Sequence, residues 1–343
     1  MKYKIKGQNI KNMPWEDKPK DCHSVVWRYS KNPIIKRNPC PDIARIFNSA
    51  VVYRNDEFIG VFRCEDETSL PHLRVGHSQD GINWEMEKER IKFIDEDGKD
   101  YQPYYAYDPR VVKVEGDDNY YVIWCTDFYG PTIGMAKTTD FKKFVRLENC
   151  FLPCNRNGVL FPKKINDRYL MLSRPSDNGH TAFGDIFLSE SKDLEYWGRH
   201  RHVMERGGSG WWQGLKIGGG PAPIETSIGW LLLYHGVILN CNGYVYSFGV
   251  AILDKDNPSI VKYRSKNYVL TPEEPYETVG FVPNVVFPCA TLVNEEGKVA
   301  IYYGSADSYV SLAFTTIDEL IDYCIKTSEG VGRDGDIGRW EEY

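Results

Sequence analysis

The sequence predicts an all-β protein, a five-bladed β-propeller with an N-terminal arm and a short C-terminal helix. One pattern recurs along the chain: a polar turn, an alternating strand of β-branched and aromatic residues, and a polar or glycine-containing exit. Segments with helical periodicity are nearly absent. The pattern occurs five times, at residues 54–66, 116–127, 165–177, 227–237 and 295–307.

The spacing of these repeats favours a closed ring of four-stranded units. Equivalent positions in the five copies lie 49 to 69 residues apart in the 343-residue chain, which leaves room for four strands and their connections. A radial arrangement removes most exposed sheet edges, so we expect a propeller rather than a two-sheet sandwich. The equivalent positions are Phe58, Tyr120, Tyr169, Trp230 and Val299.

A second motif follows three of the copies and consists of Ser or Thr, then Asp, then an aromatic residue. It occurs at residues 77–85, 137–148 and 189–200. Residues of these types are typical of tight turns. Each motif is therefore expected to lead into the next, outer strand of a blade.

Two segments lie outside the repeats. Residues 1–30 are polar with interspersed tryptophans and are expected to form an arm that packs on this subunit or on a neighbour. Residues 31–316 are expected to form the propeller, and residues 317–343 a helix and a polar tail. The helix is predicted from an apolar stripe with helical spacing. The stripe consists of Ile317, Leu320, Ile321 and Cys324.

The composition argues against several functions. With 42 Lys and Arg against 48 Asp and Glu, the net charge of -6 offers no basic excess for nucleic acid or an acidic membrane. No apolar run has the length of a signal peptide core or a membrane span, so a cytoplasmic location is expected. The nine cysteines form no Cys-x-x-Cys pair and the seven histidines show no ligand spacing, which predicts reduced thiols and no metal.

Two acidic residues stand where predicted strands meet turns. Asp108 lies between Tyr107 and Pro109, and the proline disfavours a helix there and holds the carboxylate on a rigid turn. Asp307 stands at the exit of the fifth repeat. From spacing alone, each is either a site carboxylate or the cap of an Asx-type turn.

Four cationic or potentially cationic residues stand at the ends of different repeats. Singly, each is expected to be solvated or ion-paired. Together they would bind a small dianion beside a proton donor, as phosphorolysis requires. A phosphate nucleophile is already anionic and needs positive charge and orientation, whereas an inverting glycosidase needs a carboxylate base to activate water. The four residues are Arg156, Arg174, Lys216 and His235.

Three consecutive glycines, Gly218, Gly219 and Gly220, lack the strand-to-helix context of a nucleotide-binding loop. They are expected to form a tight turn near a ligand.

Long and unusual sequence words at these positions resemble the mannoside phosphorylases of glycoside hydrolase family 130. They include IFNSAVV, YDPRV, NRNGVLFP, MLSRPSDNGHT, CNGYVYSFG, VPNVVFPCA and AIYYGSAD. The resemblance runs from about Trp15 to about residue 325. It is greatest to the subgroup acting on β-1,4-mannosides, including mannosyl-N-acetylglucosamine from N-glycan cores.

The resemblance implies a five-bladed propeller and an inverting reaction in which a β-mannoside and phosphate give α-mannose 1-phosphate and the shortened sugar. Asp108 matches the catalytic acid, which acts through the 3-hydroxyl of the bound mannose. The residues matching the phosphate site are Arg156, Arg174, Lys216 and His235, with Tyr246 assisting. Those matching the mannose site are Asn48, Ser49, Arg63 and Asp307. Those matching the acceptor side are Tyr107, His180, Tyr244 and Phe287.

The expected partners are therefore a small carbohydrate and inorganic phosphate as co-substrate, with no other cofactor. A homo-oligomer is also expected. One departure from the subgroup occurs at residues 68–76, which are less basic than its pattern and leave an additional arginine contact unassigned.

Four functions remain to be compared. The sequence favours a phosphorylase acting on mannosyl-N-acetylglucosamine, and the first alternative is a β-1,4-mannooligosaccharide phosphorylase. The second is an inverting β-mannoside hydrolase on the same scaffold. The third is a sugar-binding propeller without catalytic activity, which would give no reason for a rigid Asp108 beside a cationic cluster.

Overall fold

The predicted five-bladed β-propeller and its short C-terminal helix are confirmed. The computed structural model describes residues 1–127, 129–176, 184–207 and 211–328. It contains five sheets, and the innermost strand of each sheet lines a central channel. The predicted site residues within the described ranges lie on the first three strands counted from the channel or in a turn beside them.

The strands of the first three blades succeed one another in chain order, after an N-terminal strand β1 (Trp27–Arg28) that belongs to the last blade. Blade I consists of β2 (Arg45–Arg54), β3 (Glu57–Glu65), β4 (Pro71–Ser78) and β5 (Glu85–Met86). Two short strands follow, β6 (Phe93–Ile94) and β7 (Asp100–Tyr101). Blade II consists of β8 (Ala106–Lys113), β9 (Tyr120–Asp127), β10 (Pro131–Thr138) and β11 (Phe144–Leu147), and β6 extends it beyond β11. Blade III consists of β12 (Asn155–Leu160), β13 (Tyr169–Pro175), β14 (Ile186–Ser191) and β15 (Trp197–Met204).

The last two blades complete the ring. Blade IV consists of β16 (Lys216–Gly219), β17 (Ile224–Thr226), β18 (Gly229–Asn240), β19 (Gly243–Leu253) and β20 (Val261–Arg264). Blade V consists of β21 (Val286–Val293), β22 (Lys298–Ser305) and β23 (Tyr309–Thr316), with β1 as its outer strand. The helices are α1 (Pro275–Thr278) and α2 (Ile317–Thr327), and a 3₁₀ turn spans Trp211–Gln213.

The five repeats found in the sequence are the second strands of the five blades. The equivalent positions stand at or next to the first residue of β3, β9, β13, β18 and β22. These strands lie in the middle of their sheets and read as apolar runs because both faces are covered. Polar residues therefore occur mainly in the turn before each of these strands and directly after its end.

Five buried clusters fill the spaces between neighbouring blades. Phe62 lies between blades V and I, Trp124 between I and II, and Trp230 between III and IV. Each of these side chains is almost fully buried. Burial of a side chain such as Phe62 contributes roughly 1.5–3 kcal/mol, so each interface between blades is a core of its own.

The three Ser/Thr-x-Asp motifs form the predicted turns between the third and fourth strands. In the first, the Ser78 hydroxyl accepts a hydrogen bond from the Gly81 amide, and the Asp80 carboxylate accepts two from the backbone of residues 82 and 83. The same bonds recur after Thr138 and after Ser191. The side chains of the motif thus accept hydrogen bonds from backbone amides of the turn, which have no partner within the sheet.

The N-terminal segment packs on its own chain. Trp27 pairs with Phe314 across β1 and β23, and the Trp15 ring lies 5.6 Å from the Phe314 ring. The helix α2 begins at a cap in which the Thr316 hydroxyl accepts from the Glu319 amide at 3.2 Å. Its apolar stripe is buried as predicted. The domain boundaries at residues 30 and 316 stay a prediction, and residues 329–343 of the predicted tail lie outside the described residues.

No helix within the described ranges is both long and apolar enough to cross a membrane.

The buried Glu277 fastens the N-terminal strand to blade V. Its carboxylate accepts hydrogen bonds from Arg28 Nε at 2.8 Å, Arg28 Nη2 at 2.8 Å and the Tyr303 hydroxyl at 2.8 Å. Glu277 is fully buried, and 18% of the Arg28 side chain is exposed. The guanidinium therefore depends on this carboxylate for most of its charge compensation.

Substitution Glu277→Gln should lower the free energy of unfolding by about 3–5 kcal/mol, because it removes the buried carboxylate of a largely buried guanidinium and leaves only the exposed Glu273 as its acidic partner within the described residues. Urea denaturation measures this. The matched control is Asp56→Asn, whose ion pair with Lys11 is exposed on both sides and which should change stability by less than about 1 kcal/mol. Equal losses in the two variants would show that the Glu277 pair does not hold the arm in place.

Candidate active site

Bulges in the inner strands turn polar side chains towards the channel. The pairing register shifts between Phe47 and Ala50 in β2, and corresponding shifts occur in β8, β12 and β21. A bulge releases residues from the ladder and redirects their side chains. In three of these bulges the first released residue has a positive φ, which Asn and Asp tolerate better than most residues. They are Asn48 (φ 48°), Asp108 (φ 51°) and Asn157 (φ 57°).

The Asp108 carboxylate is held by two donors from blade I. Its Oδ1 atom accepts hydrogen bonds from Asn48 Nδ2 at 2.8 Å and from Arg63 Nη1 at 2.9 Å. Arg63 also donates to Glu65 at 2.6 Å, and the other Glu65 oxygen pairs with Arg45 at 2.8 Å. The structure therefore places Asn48, Arg63 and Asp108 together, as predicted. Asp108, Arg63, Glu65 and Arg45 form a continuous series of ion pairs that extends into blade I.

Asp307 faces the same guanidinium from blade V. It stands in the turn between β22 and β23 with φ 46°. Burial raises the pKa of its carboxyl to about 7, with Arg63 opposing the rise and Asp108 adding to it. One guanidinium thus balances several carboxyl groups, and a single proton on Asp307 removes part of their repulsion.

The second half of the site is cationic. Arg174 Nη1 and Asn157 Nδ2 both donate to His235 Nε2, each at 3.2 Å. An imidazole nitrogen that accepts hydrogen bonds carries no proton. Burial, followed by the charge of Arg174, lowers the pKa of His235 well below its usual value. His235 is therefore a neutral member of the group that the sequence predicted as cationic or potentially cationic.

Lys216, Arg156 and Arg174 lie close enough together to affect one another's pKa. Burial, followed by the charges of Arg174 and Arg156, lowers the pKa of the Lys216 ammonium group to about 8. Burial also lowers the pKa of Arg174, and Arg156 adds to that effect. Within the described residues no carboxylate forms an ion pair with Arg156, Arg174 or Lys216. The three groups form a cationic cluster without a carboxylate partner in the described part of the chain.

Aromatic rings enclose both halves of the site. The Lys216 ammonium lies 5.4 Å from the Tyr244 ring and 5.6 Å from the Tyr246 ring, and His235 lies 4.5 Å from the Phe287 ring. Burial raises the pKa of the Tyr246 phenol to about 12. Tyr107 joins the halves, because its hydroxyl accepts from Arg156 Nε at 3.1 Å while the Arg63 guanidinium lies 5.1 Å from its ring.

Comparisons with known proteins identify the family. The model of glycoside hydrolase family 130, described as β-1,4-mannooligosaccharide phosphorylase, matches residues 6–326. A β-1,4-mannooligosaccharide phosphorylase from Ruminococcus albus is 54% identical over 327 residues, which cover 93% of this chain and 96% of the relative. The chain belongs to glycoside hydrolase family 130. The predictions of this family and of an enzyme of the mannoside phosphorylase type are confirmed.

Other members differ in the sugar named for them. A 4-O-β-D-mannosyl-D-glucose phosphorylase from Bacteroides fragilis is 28% identical, and the match covers 89% of this chain and 82% of the relative. The solved structure of β-1,2-mannobiose phosphorylase from Listeria innocua, in complex with β-1,2-mannobiose, matches with a TM-score of 0.77 and 26% identity. That match covers 88% of this chain and 99% of the other. Membership of family 130 alone therefore does not define the linkage or the acceptor.

Two predicted members of the family 130 site have no defined contact with it. Ser49 is buried beside Asn48, and its hydroxyl has no hydrogen-bond partner among the described residues. His180 lies outside the described residues. Their roles, like those of the other matched residues, stay predictions.

Three contributors were missed in the sequence. Asn157 is the first released residue of the bulge in β12, as Asn48 is in β2, so aligning the repeats at these positions would have revealed it. Glu65 lies two residues after Arg63 on the same face of β3. Arg110 is buried and donates to the carbonyl oxygens of Gly220 at 2.6 Å and Pro109 at 3.1 Å. Only contacts between distant segments reveal its position.

The expectation of a tight turn at the three glycines is wrong for the first two. Gly218 and Gly219 lie in β16, which pairs with β18. A Cβ atom on Gly218 would collide with Asn157 Nδ2 and with the His235 ring. Glycine is needed here because the Asn157 side chain of blade III and the His235 ring of the neighbouring strand β18 pack directly on the backbone.

No group of three or more His, Cys, Asp and Glu side chains in the described part of the chain is arranged to hold a metal.

Substitution Asp307→Asn should stabilise the protein at pH 8 and not at pH 4. Because the folded-state pKa is raised to about 7, the stability that Asp307 contributes is complete below the unfolded pKa and is lost as the pH rises towards 7. The Asn side chain does not ionise, so the variant avoids this loss. Its free energy of unfolding at pH 8 should exceed that of the wild type by on the order of 2 kcal/mol. The effect is limited to this size because the carboxyl group borders the open site.

Urea denaturation at both pH values, in phosphate-free buffer, provides the measurement. Asp97→Asn is the matched control because the Asp97 side chain is 80% exposed. A difference between variant and wild type that does not depend on pH would contradict the raised pKa.

Proposed function

We propose that this protein phosphorolyses β-1,4-mannooligosaccharides, releasing the terminal mannose as α-mannose 1-phosphate. Phosphate is the co-substrate, and no metal or other cofactor takes part. The proposal assigns the mannose to the half of the site around Asp108, Arg63 and Asp307. It assigns phosphate to the half around Arg156, Arg174 and Lys216.

The observation that carries the proposal is the convergence of three cations without a carboxylate partner among the described residues. Burial and its cationic neighbours lower the pKa of Lys216 to about 8, so bringing a dianion into this half would restore a favourable environment for all three charges. Guanidinium groups also match the geometry of phosphate oxygens, and they keep their charge at neutral pH. An anion of the size and charge of phosphate is the ligand that this arrangement fits.

The cationic half can hold phosphate beside the anomeric carbon while the acidic half holds the sugar. A phosphate oxygen forms a bond to C1 on the face opposite the glycosidic oxygen, and the C1–O bond breaks with its electron pair going to the leaving sugar. The leaving oxygen takes a proton from the mannose 3-hydroxyl, which takes one from Asp108. The configuration at C1 inverts, giving α-mannose 1-phosphate.

The surroundings of Asp108 suit a group that exchanges a proton with the sugar. Both of its hydrogen bonds within the described residues go to Oδ1, from Asn48 and Arg63. The carboxylate is thereby fixed in orientation while Oδ2 is left for substrate. Fixing a donor before the reaction lowers the barrier because no reorganisation is needed in the transition state.

The same geometry argues against hydrolysis. An inverting hydrolase needs a second carboxylate, about 6.5–9.5 Å from the acid, to activate water. Arg156, Arg174 and Lys216 occupy the half of the site where such a base would be needed, and Asp307 lies with Arg63 on the acidic side. The arrangement favours a nucleophile that already carries negative charge.

The acceptor is assigned from the relatives. The sequence motifs alone favoured mannosyl-N-acetylglucosamine, but the family description and the Ruminococcus albus relative both name β-1,4-mannooligosaccharides. Mannosyl-N-acetylglucosamine is therefore the second substrate to be tested. The homo-oligomeric state and the cytoplasmic location predicted from the sequence stay predictions.

Release of mannose 1-phosphate should require inorganic phosphate and should be faster from β-1,4-mannobiose than from mannosyl-N-acetylglucosamine. The measurement is product analysis by anion-exchange chromatography for both substrates, with and without phosphate. Free mannose in the absence of phosphate would identify a hydrolase and would refute the assignment of phosphate to Arg156, Arg174 and Lys216. Preference for mannosyl-N-acetylglucosamine would retain phosphorolysis but change the substrate.

Substitution Asp108→Asn should lower kcat by about 10²–10⁴, since it removes the proton donor. The amide oxygen can still accept from Asn48 and Arg63, so the thermal unfolding curve should be retained. Asp118→Asn, an exposed acid in the same blade, serves as the control and should keep full activity. A near-normal kcat for the Asp108 variant would refute its assignment as the acid.

A further inference from the structure

We propose that Tyr104 and Tyr105 form a sugar-binding platform outside the pocket, which takes the third and later mannose units of a β-1,4-mannooligosaccharide. The proposal rests on the proposed function, because it extends the acceptor side of the same site. The three rings of Tyr107, Tyr105 and Tyr104 are called the tyrosine ladder here.

The tyrosine ladder is continuous from the site to the surface. The Tyr107 and Tyr105 rings have centroids 5.5 Å apart, and those of Tyr105 and Tyr104 are 5.9 Å apart. Both separations fall in the range of favourable aromatic pairs. Because all three residues precede Asp108 by four positions or fewer, the ladder leads directly away from the proposed acid.

The inner end of the ladder belongs to both halves of the site. Tyr107 accepts a hydrogen bond from Arg156 on the phosphate side and lies under the Arg63 guanidinium on the mannose side. Burial raises the pKa of the Tyr105 phenol, and the nearby Arg156 guanidinium opposes that rise. Tyr105 therefore stands close to the point where an acceptor sugar leaves the pocket.

The outer end is too exposed to serve the core. Tyr104 is 74% exposed, Tyr105 is partly buried, and neither belongs to a buried cluster in the described residues. Hydrophobic burial thus gives no reason for an aromatic residue at position 104. A large ring held on a second ring and facing solvent retains its apolar surface for a ligand.

A neutral oligosaccharide has the matching chemistry. Its sugar rings present apolar faces of C–H groups bordered by hydroxyl groups, and tyrosine offers a flat apolar face with a polar tip. The pocket holds the terminal mannose and its neighbour, and the rest of a longer chain must leave past the rim. The continuity of the ladder with the pocket favours this occupant over a second copy of the chain.

The experiment compares chain-length dependence in the wild type, Tyr104→Ala and Tyr104→Phe. The quantity measured is the ratio of kcat/KM for β-1,4-mannotetraose to that for β-1,4-mannobiose. In Tyr104→Ala this ratio should fall roughly three- to tenfold, as expected for the loss of one aromatic contact. Tyr104→Phe keeps the ring and should retain most of the ratio.

Tyr196→Ala is the matched control. Tyr196 is 79% exposed and lies in the turn between β14 and β15, level with the start of β13 and so at the face opposite the site. The ratio should stay at the wild-type value in this variant.

A second readout separates this proposal from the proposed function. Equilibrium binding of mannotetraose and mannobiose is measured by calorimetry in an Asp108→Asn background, where turnover is slow. A fall in the ratio of their affinities on adding Tyr104→Ala supports the platform even if the wild type proves to release free mannose. An unchanged affinity ratio overturns it even if phosphorolysis is observed. A change in sedimentation coefficient with unchanged ratios would show instead that Tyr104 contacts a second copy, which also overturns it.

Discussion

The site depends on one guanidinium in the central channel. Arg110 is buried and donates to the Gly220 carbonyl of the segment after β16 and to the carbonyls of Asp108 and Pro109 in the bulge of β8, while its guanidinium lies 5.3 Å from the Phe287 ring of blade V. Hydrogen bonds from a charged group contribute roughly 1.5–3 kcal/mol each, so this cation fixes the backbone of the proposed acid from three blades at once. The position of the carboxylate is therefore a property of the whole ring and not of one loop.

Above this cation the site is divided by charge. The carboxyl groups of Asp108, Glu65 and Asp307 gather around Arg63, whereas Arg156, Arg174 and Lys216 share no acid among the described residues. Such a division is unfavourable without substrate, since like charges face one another in each half. Under the proposed function, the division prepares the protein for a neutral sugar on one side and an anion on the other, with dipoles oriented before either ligand binds.

The sequence was informative wherever one strand or one turn carries its own pattern. The second strands of the blades, the Ser78-type turns and the stripe of α2 were predictable because their periodicity is local. Asp108 and Arg174 were visible because polar residues are unusual at the ends of apolar strands. The neutral state of His235 and the channel position of Arg110 depend on contacts between blades, and the strand conformation of Gly218 depends on pairing with β18, which follows later in the chain. No local pattern encodes such contacts, which is why the sequence missed or misjudged them.

The closure of the ring by β1 has a consequence for biosynthesis. Trp27 emerges from the ribosome early, but its partner Phe314 is near the other end of the chain. The strand that carries Trp27 therefore has no pairing partner while the five inner strands are synthesised. A ring sealed by its first and last strands acquires its cooperativity only after β23 has been synthesised. Until then, nascent chains of this protein have an open sheet edge and expose some apolar side chains of the arm.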